Sequence, residues 1–171
     1  MSAVRFTFTA ERSCVWVSGR SSLHPINTET RGLTGWIEAA LKPDGTLDLT
    51  VPVTGSLEVA ADRLSSGNLL YDRELKRRID AKTYPTIFGQ LNHVAATSDA
   101  HRYEVTGDLT FHGKTRSFTH DMEIHVQDGK EITLAGSDVF DLREFNMKPP
   151  SMLMLKVYPE VAVRVELHGT T

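Results

Sequence analysis

Apolar residues fall on every second position through most of the chain, the period of a strand with one buried and one wetted face. Leu47, Leu49, Val51 and Val53 alternate with Thr46, Asp48, Thr50 and Pro52, which predicts a half-buried strand. The same alternation marks Tyr103, Val105, Gly107, Leu109 and Phe111, and again Phe118, His120, Met122, Ile124 and Val126. A last long segment keeps its odd positions apolar, from Leu153, Leu155 and Val157 to Val161, Val163, Val165 and Leu167. Pro159 interrupts it, and since proline has no N–H for a ladder, a bend or bulge is expected there.

Turn residues separate these runs at Pro43-Asp44-Gly45, Ser98-Asp99, His112-Gly113-Lys114 and Asp128-Gly129-Lys130. Such spacing predicts hairpins, with sequential strands as neighbours in an up-and-down meander. One segment departs from the period: between Asp72 and Asp80, Leu75 and Ile79 stand four apart among strong helix formers. A short amphipathic helix is expected at about residues 72–80. Ser65-Ser66-Gly67-Asn68 reads as the loop leading in, and Tyr84-Pro85 returns the chain to an extended conformation. About eight strands hide their edges best by closing, so the expected fold is all-β, an eight-stranded antiparallel barrel with one inserted helix.

Composition narrows the function classes. A chain of 171 residues supports one core and one domain. The net charge is -3 and the largest basic run is Lys76-Arg77-Arg78, so nucleic acid is not an expected partner. The single cysteine, Cys14, cannot form an internal disulfide; it sits among strand residues, and it suits a reducing compartment. Met1 to Cys14 alternates like a strand of the mature protein, and no apolar stretch approaches the roughly 20 residues of a membrane span. The expectation is a cytoplasmic protein without an integral membrane segment.

Catalytic signatures are missing. The sequence has neither Gly-x-Ser-x-Gly nor a phosphate-binding loop, and the densest carboxylate group, Asp138, Asp141 and Glu144, reads as a solvated face. No catalytic residue and no cofactor is assigned. The seven histidines form no close pairs, and His120 and His125, five apart on a strand, should face opposite ways, so no metal site is expected.

Four segments, in order, carry a family resemblance. They are Ser22-Leu23-His24-Pro25-Ile26 with Gly32-Leu33-Thr34-Gly35; Leu75 to Phe88, with its Asp80-Ala81 step and Tyr84-Pro85; Val105 to Phe118, with Leu109-Thr110 before Gly113-Lys114; and Phe140 to Pro150. Together they resemble the YceI-like proteins over nearly the whole chain. In the fourth segment Asn146 stands where the family usually has Gly, and Asn also tolerates a left-handed backbone. The resemblance implies an extended, lipocalin-like barrel whose elongated pocket takes an isoprenoid chain such as a polyprenyl or quinone tail. Many relatives are exported; the strand-like alternation of residues 1–14 leads to the expectation of no export signal here.

If strand alternation turns one set inward, Ile37, Leu49, Val51, Leu109, Phe111, Phe118, Met122, Ile124, Val163 and Val165 point into one space. Trp16 and Trp36 suit a pocket mouth, where an apolar ring with one donor meets water; Trp16 is assigned to the ligand-binding set. Met122, Met152 and Met154 suit an adaptable tunnel wall. His24 and Arg143, inside the matched segments, are the candidate headgroup contacts, and His112 is a further polar residue there. The leading expectation is a binding or carrier protein for a hydrophobic small molecule, not an enzyme. Two alternatives stand beside it: an enzyme or biosynthetic accessory working on a hydrophobic substrate in the same cavity, and a packed barrel acting through its surface, for instance as a homodimer or stress-related partner.

Overall fold

The computed structural model describes residues 2–148, 151–152 and 155–171. The expectations for Leu153 and Met154, and for the side chains of Met152 and Leu155, lie outside them. The strands are β1 Val4–Phe8, β2 Cys14–Ser21, β3 Pro25–Thr30, β4 Leu33–Ala39, β5 Thr54–Ala60, β6 Thr86–Ala96, β7 Arg102–Phe111, β8 Lys114–Gln127, β9 Glu131–Asp141, β10 Ser151–Met152 and β11 Leu155–Thr170. One helix, α1 Leu69–Arg78, lies between β5 and β6.

These strands make eight staves. β1 and β2 are one strand bent at a helical turn over Ala10–Arg12, and β3 and β4 are one strand broken at Arg31-Gly32. The bent pair runs antiparallel through both halves, from Val4↔Ala39 and Thr7↔Trp36 to Val15↔Thr30 and Arg20↔Pro25. From there each stave bonds to the next in the chain, β4 to β5, β5 to β6, and on through β9. β11 pairs with β9 on one side and with β2 and β1 on the other, closing the barrel. Among the described residues every stave is paired on both sides over at least part of its length, as the meander predicts.

Local chemistry accounts for the turns. His112 and Gly113, at φ 54° and 74°, form the two-residue link between β7 and β8, the left-handed pair that a tight hairpin requires. Asp128 and Gly129, at φ 53° and 67°, make a left-handed turn too, in the three-residue link that they form with Lys130 between β8 and β9. The register of β11 against β2 shifts between Val157 and Val161, so the bulge expected at Pro159 is present.

Two expectations need correction. The run Leu47–Val53 is no strand: apart from a bridge of Leu47 to Leu41 it joins no ladder. Asp48 accepts from the Thr50 N–H at 3.0 Å and the Thr50 hydroxyl at 2.6 Å, and this Asx-type turn folds the segment across one end of the barrel. The helix begins at Leu69, earlier than expected, because Asn68 is its N-cap: its side-chain oxygen accepts from Leu70 N–H at 3.0 Å and Tyr71 N–H at 3.2 Å.

The two ends of the barrel are packed differently. At one end Phe6, Ile37, Leu47, Val53 and Ile132 fill the space solidly. At the other, Ala61, Ile79, Ala81 and Met147 form a smaller cluster, with Leu75, Phe111 and Leu142 against it. This places α1 as a cap, and the staves between the two clusters are where the barrel stays open.

A two-lobed apolar cavity

The interior holds two cavity lobes of about 190 Å³ and 200 Å³, measured as space open to the centres of water-sized spheres. One water needs roughly 10–15 Å³ by that measure, so neither lobe is a packing defect. The lobe toward the solid end is walled by Ile37, Val105, Phe118, Met122, Ile124 and Leu134, among others. The lobe toward α1 is walled by Val15, Val17, Ile79, Phe111, Phe145 and Met147, among others. Leu57, Gly89, Leu109, Phe140, Val163 and Val165 border both, so the lobes adjoin at a shared waist.

Strand parity explains the wall. Leu57, Gly89 and Leu109 are register partners across β5, β6 and β7, so all three turn the same way. At Gly89 a Cβ would meet only Leu57 Cβ at 3.8 Å, an ordinary contact, and the backbone is not left-handed. Its bare position keeps the waist open rather than serving a turn.

Eight of the expected residues stand on this wall: Ile37, Leu109, Phe111, Phe118, Met122, Ile124, Val163 and Val165. The others are placed elsewhere. Leu49 packs against the core from the folded-over segment, and neither it nor Val51 borders a lobe, because residues 47–53 do not form a stave. Trp16 sits between the inward Val15 and Val17, so its ring faces out, where the Arg164 guanidinium stacks over it at 4.0 Å. The Trp36 ring is likewise beneath Arg5, at 4.0 Å, although Trp36 also borders the lobe toward the solid end. His24 is exposed on the β2–β3 loop with Nε2 3.4 Å from the Tyr71 hydroxyl. Arg143 is exposed and donates to Asp141 through Nε and Nη2, at 3.0 Å and 2.7 Å. These bonds hold the Asp141 carboxyl below its usual range, and neither residue borders a lobe.

Residues that the alternation did not flag complete the wall. Phe140 stands at the waist and its ring meets Phe118 at 6.3 Å and Phe145 at 6.5 Å, both edge-on. Leu75 arrives from α1 and Ile79 from its C-cap, and Phe145 and Met147 from the segment after β9. His120 faces inward and His125 outward, on opposite faces as expected; His125 stacks on His101 at 4.5 Å. Cys14 is buried, and burial, with help from nearby Glu29, pushes its thiol up. Among the described residues, no group of three or more His, Cys, Asp or Glu side chains is placed to hold a metal, and no helix is long and apolar enough to cross a membrane.

Comparison with known proteins agrees with this architecture. The Burkholderia cenocepacia protein BcnA is similar in structure, with a TM-score of 0.79 at 20% identity, over 95% of this chain and 99% of that one. A polyisoprenoid binding domain from Saccharophagus degradans, implicated in plant cell wall breakdown, aligns with a TM-score of 0.78 at 11% identity, over 97% and 98%. The Campylobacter jejuni YCEI protein aligns with a TM-score of 0.60 at 16% identity, over 78% of each chain. No curated protein sequence matches significantly. The model of the YceI-like domain matches residues 6–169, and the chain therefore belongs to the YceI-like family.

Proposed function

We propose that this chain is a binding module that holds one long apolar molecule of isoprenoid type, such as a polyprenyl or quinone tail, inside its barrel. The observation that carries this reading is the shared waist, where two apolar lobes meet inside one barrel. An apolar chain gains about 25 cal/mol for each Å² it removes from water, and needs few polar contacts to stay. Ile37, Leu109, Phe111, Phe118, Met122, Ile124 and Val163 are the proposed contacts. The structural relative from Saccharophagus degradans, described as a polyisoprenoid binding domain, supports the same ligand class. The free, buried Cys14 is compatible with the cytoplasmic setting we propose.

Native mass spectrometry of the purified protein, followed by solvent extraction of whatever it carries, tests this directly. A stoichiometric apolar adduct is expected. Protein that flies bare, and that also takes up neither added polyprenol nor added ubiquinone, would overturn the reading.

A further inference from the structure

The ladder between β8 and β9 is short for the strands that form it. It runs from Gln127↔Glu131 to Glu123↔Ala135, and among the described residues it goes no further. Yet β8 remains bonded to β7 back to Lys114, and β9 to β11 as far as Asp141. The wall therefore has a seam in which side chains stand where backbone bonds would be. Met122 covers Gly136, where a Cβ would come within 2.9 Å of the Met122 Cγ. Farther along, the Phe118 and Phe140 rings meet edge-on. Between these contacts His120 Nδ1 stands 3.8 Å from Asp138 Oδ2. Past Phe118 the opening is closed by Arg116 Nε, which donates to the Glu144 carbonyl at 3.0 Å.

Two observations make this seam a site. Among the described residues, His120 and Asp138 are the only ionisable side chains bordering either lobe. A crevice on the outer surface is bordered by the same His120, Gly136 and Ser137 that wall the inner lobe, so cavity and solvent are a single layer apart. The charge there is unfavourable to an anion. On the outer side Asp121, Glu123 and Glu166 outnumber Arg102 and Arg164, and Asp138 adds a fourth carboxylate within. Both guanidiniums are already engaged: Arg102 lies 3.6 Å from Asp121, and Arg164 lies 3.6 Å from Glu166.

We propose that this seam is the port where the polar end of the ligand meets water, and that His120 and Asp138 bind a neutral hydroxyl headgroup, an alcohol, rather than a phosphate. The imidazole can donate to or accept from such a group, and the carboxylate accepts from a hydroxyl. A diphosphate would face the Asp138 charge at close range across a partly desolvated wall, where repulsion is weakly screened. The assignment rests on the reading of the barrel as an apolar-chain binder.

Binding of three C20 probes separates the two ideas: geranylgeraniol, geranylgeranyl diphosphate and the hydrocarbon phytane. The wild-type protein should bind the alcohol at least tenfold more tightly than the diphosphate, and Asp138→Lys should shift that ratio at least tenfold toward the diphosphate. Equal wild-type affinities, or a ratio that Asp138→Lys leaves unchanged, would overturn the port while phytane binding still upheld the tunnel. Failure of all three probes to bind would overturn both. If Asp138→Lys does not fold, thiol labelling of the Ser137→Cys variant decides the matter. Bound geranylgeraniol should slow labelling at least fivefold, and labelling at an unchanged rate would sink the proposal.

Discussion

Asn146 holds a left-handed backbone, φ 55° and ψ 29°, at the end of the helical turn Leu142–Phe145, and this is what lets Phe145 and Met147 fold back onto the cavity. Glycine adopts that conformation freely, whereas alanine meets a Cβ clash of about 1 kcal/mol. Asn146→Gly should therefore leave the melting temperature equal or slightly raised, and Asn146→Ala should lower it by several degrees; thermal denaturation of the pair checks the order. The substitution of Asn for the usual Gly was legible in the sequence because one residue's conformational range decides it. Trp16 was not, because its position in the ligand set followed from the chemistry of its ring and not from parity. Val15 and Val17 on either side already assign it outward, under Arg164.

At the level of elements, α1 depends on a carboxylate that the apolar pattern does not register. Asp72 is buried, which alone would raise its pKa, but the Ser66 hydroxyl and N–H and the Ser65 hydroxyl bond to it and hold it below the usual carboxylate range. A carboxyl whose folded pKa is lowered contributes stability that is complete above its unfolded pKa of about 3.9 and disappears as pH falls through the folded value. Asp72→Asn should lower the melting temperature at neutral pH by several degrees. Below about pH 4 the wild type should lose stability faster than the variant, so the two melting curves converge; parallel curves down to pH 3 would show that Asp72 contributes no such term. The helix itself was legible from Leu75 and Ile79, but its start was not: Leu69 is 84% exposed and Leu70 57%, so the first turn carries no apolar periodicity, and only Asn68 signals it. Residues 47–53 fail for the converse reason. Their alternation is real, since Leu47 and Val53 are buried, but burial of alternate residues in a folded-over cap and in a stave looks the same in sequence. The Asp48–Thr50 turn and Pro52 were the signals that favoured the cap.

Across the whole molecule, the closed meander was legible because each hairpin carries its own turn residues and each stave its own period. Whether the closed barrel is solid or hollow was not, because a cavity depends on how side chains from eight staves fit together at one level. Gly89 is an example: on its own strand it reads as a weak point, and only alongside Leu57, Leu109, Phe140 and Val163 is it the open centre of the waist. That makes it the position from which to test whether the lobes act as one tunnel. Leucine fits the backbone there, where the nearest atom to a new Cβ is Leu57 Cβ at 3.8 Å, but its side chain would fill the passage between the lobes. The deciding measurement is native mass spectrometry of the wild type and Gly89→Leu after equilibration with a polyprenol of about 40 carbons, with melting temperature confirming that both are folded. One bound polyprenol is expected on the wild type, with at least a tenfold loss of occupancy on the variant. Equal occupancy on two equally stable proteins would contradict this, since the chain would then lie somewhere other than through the waist.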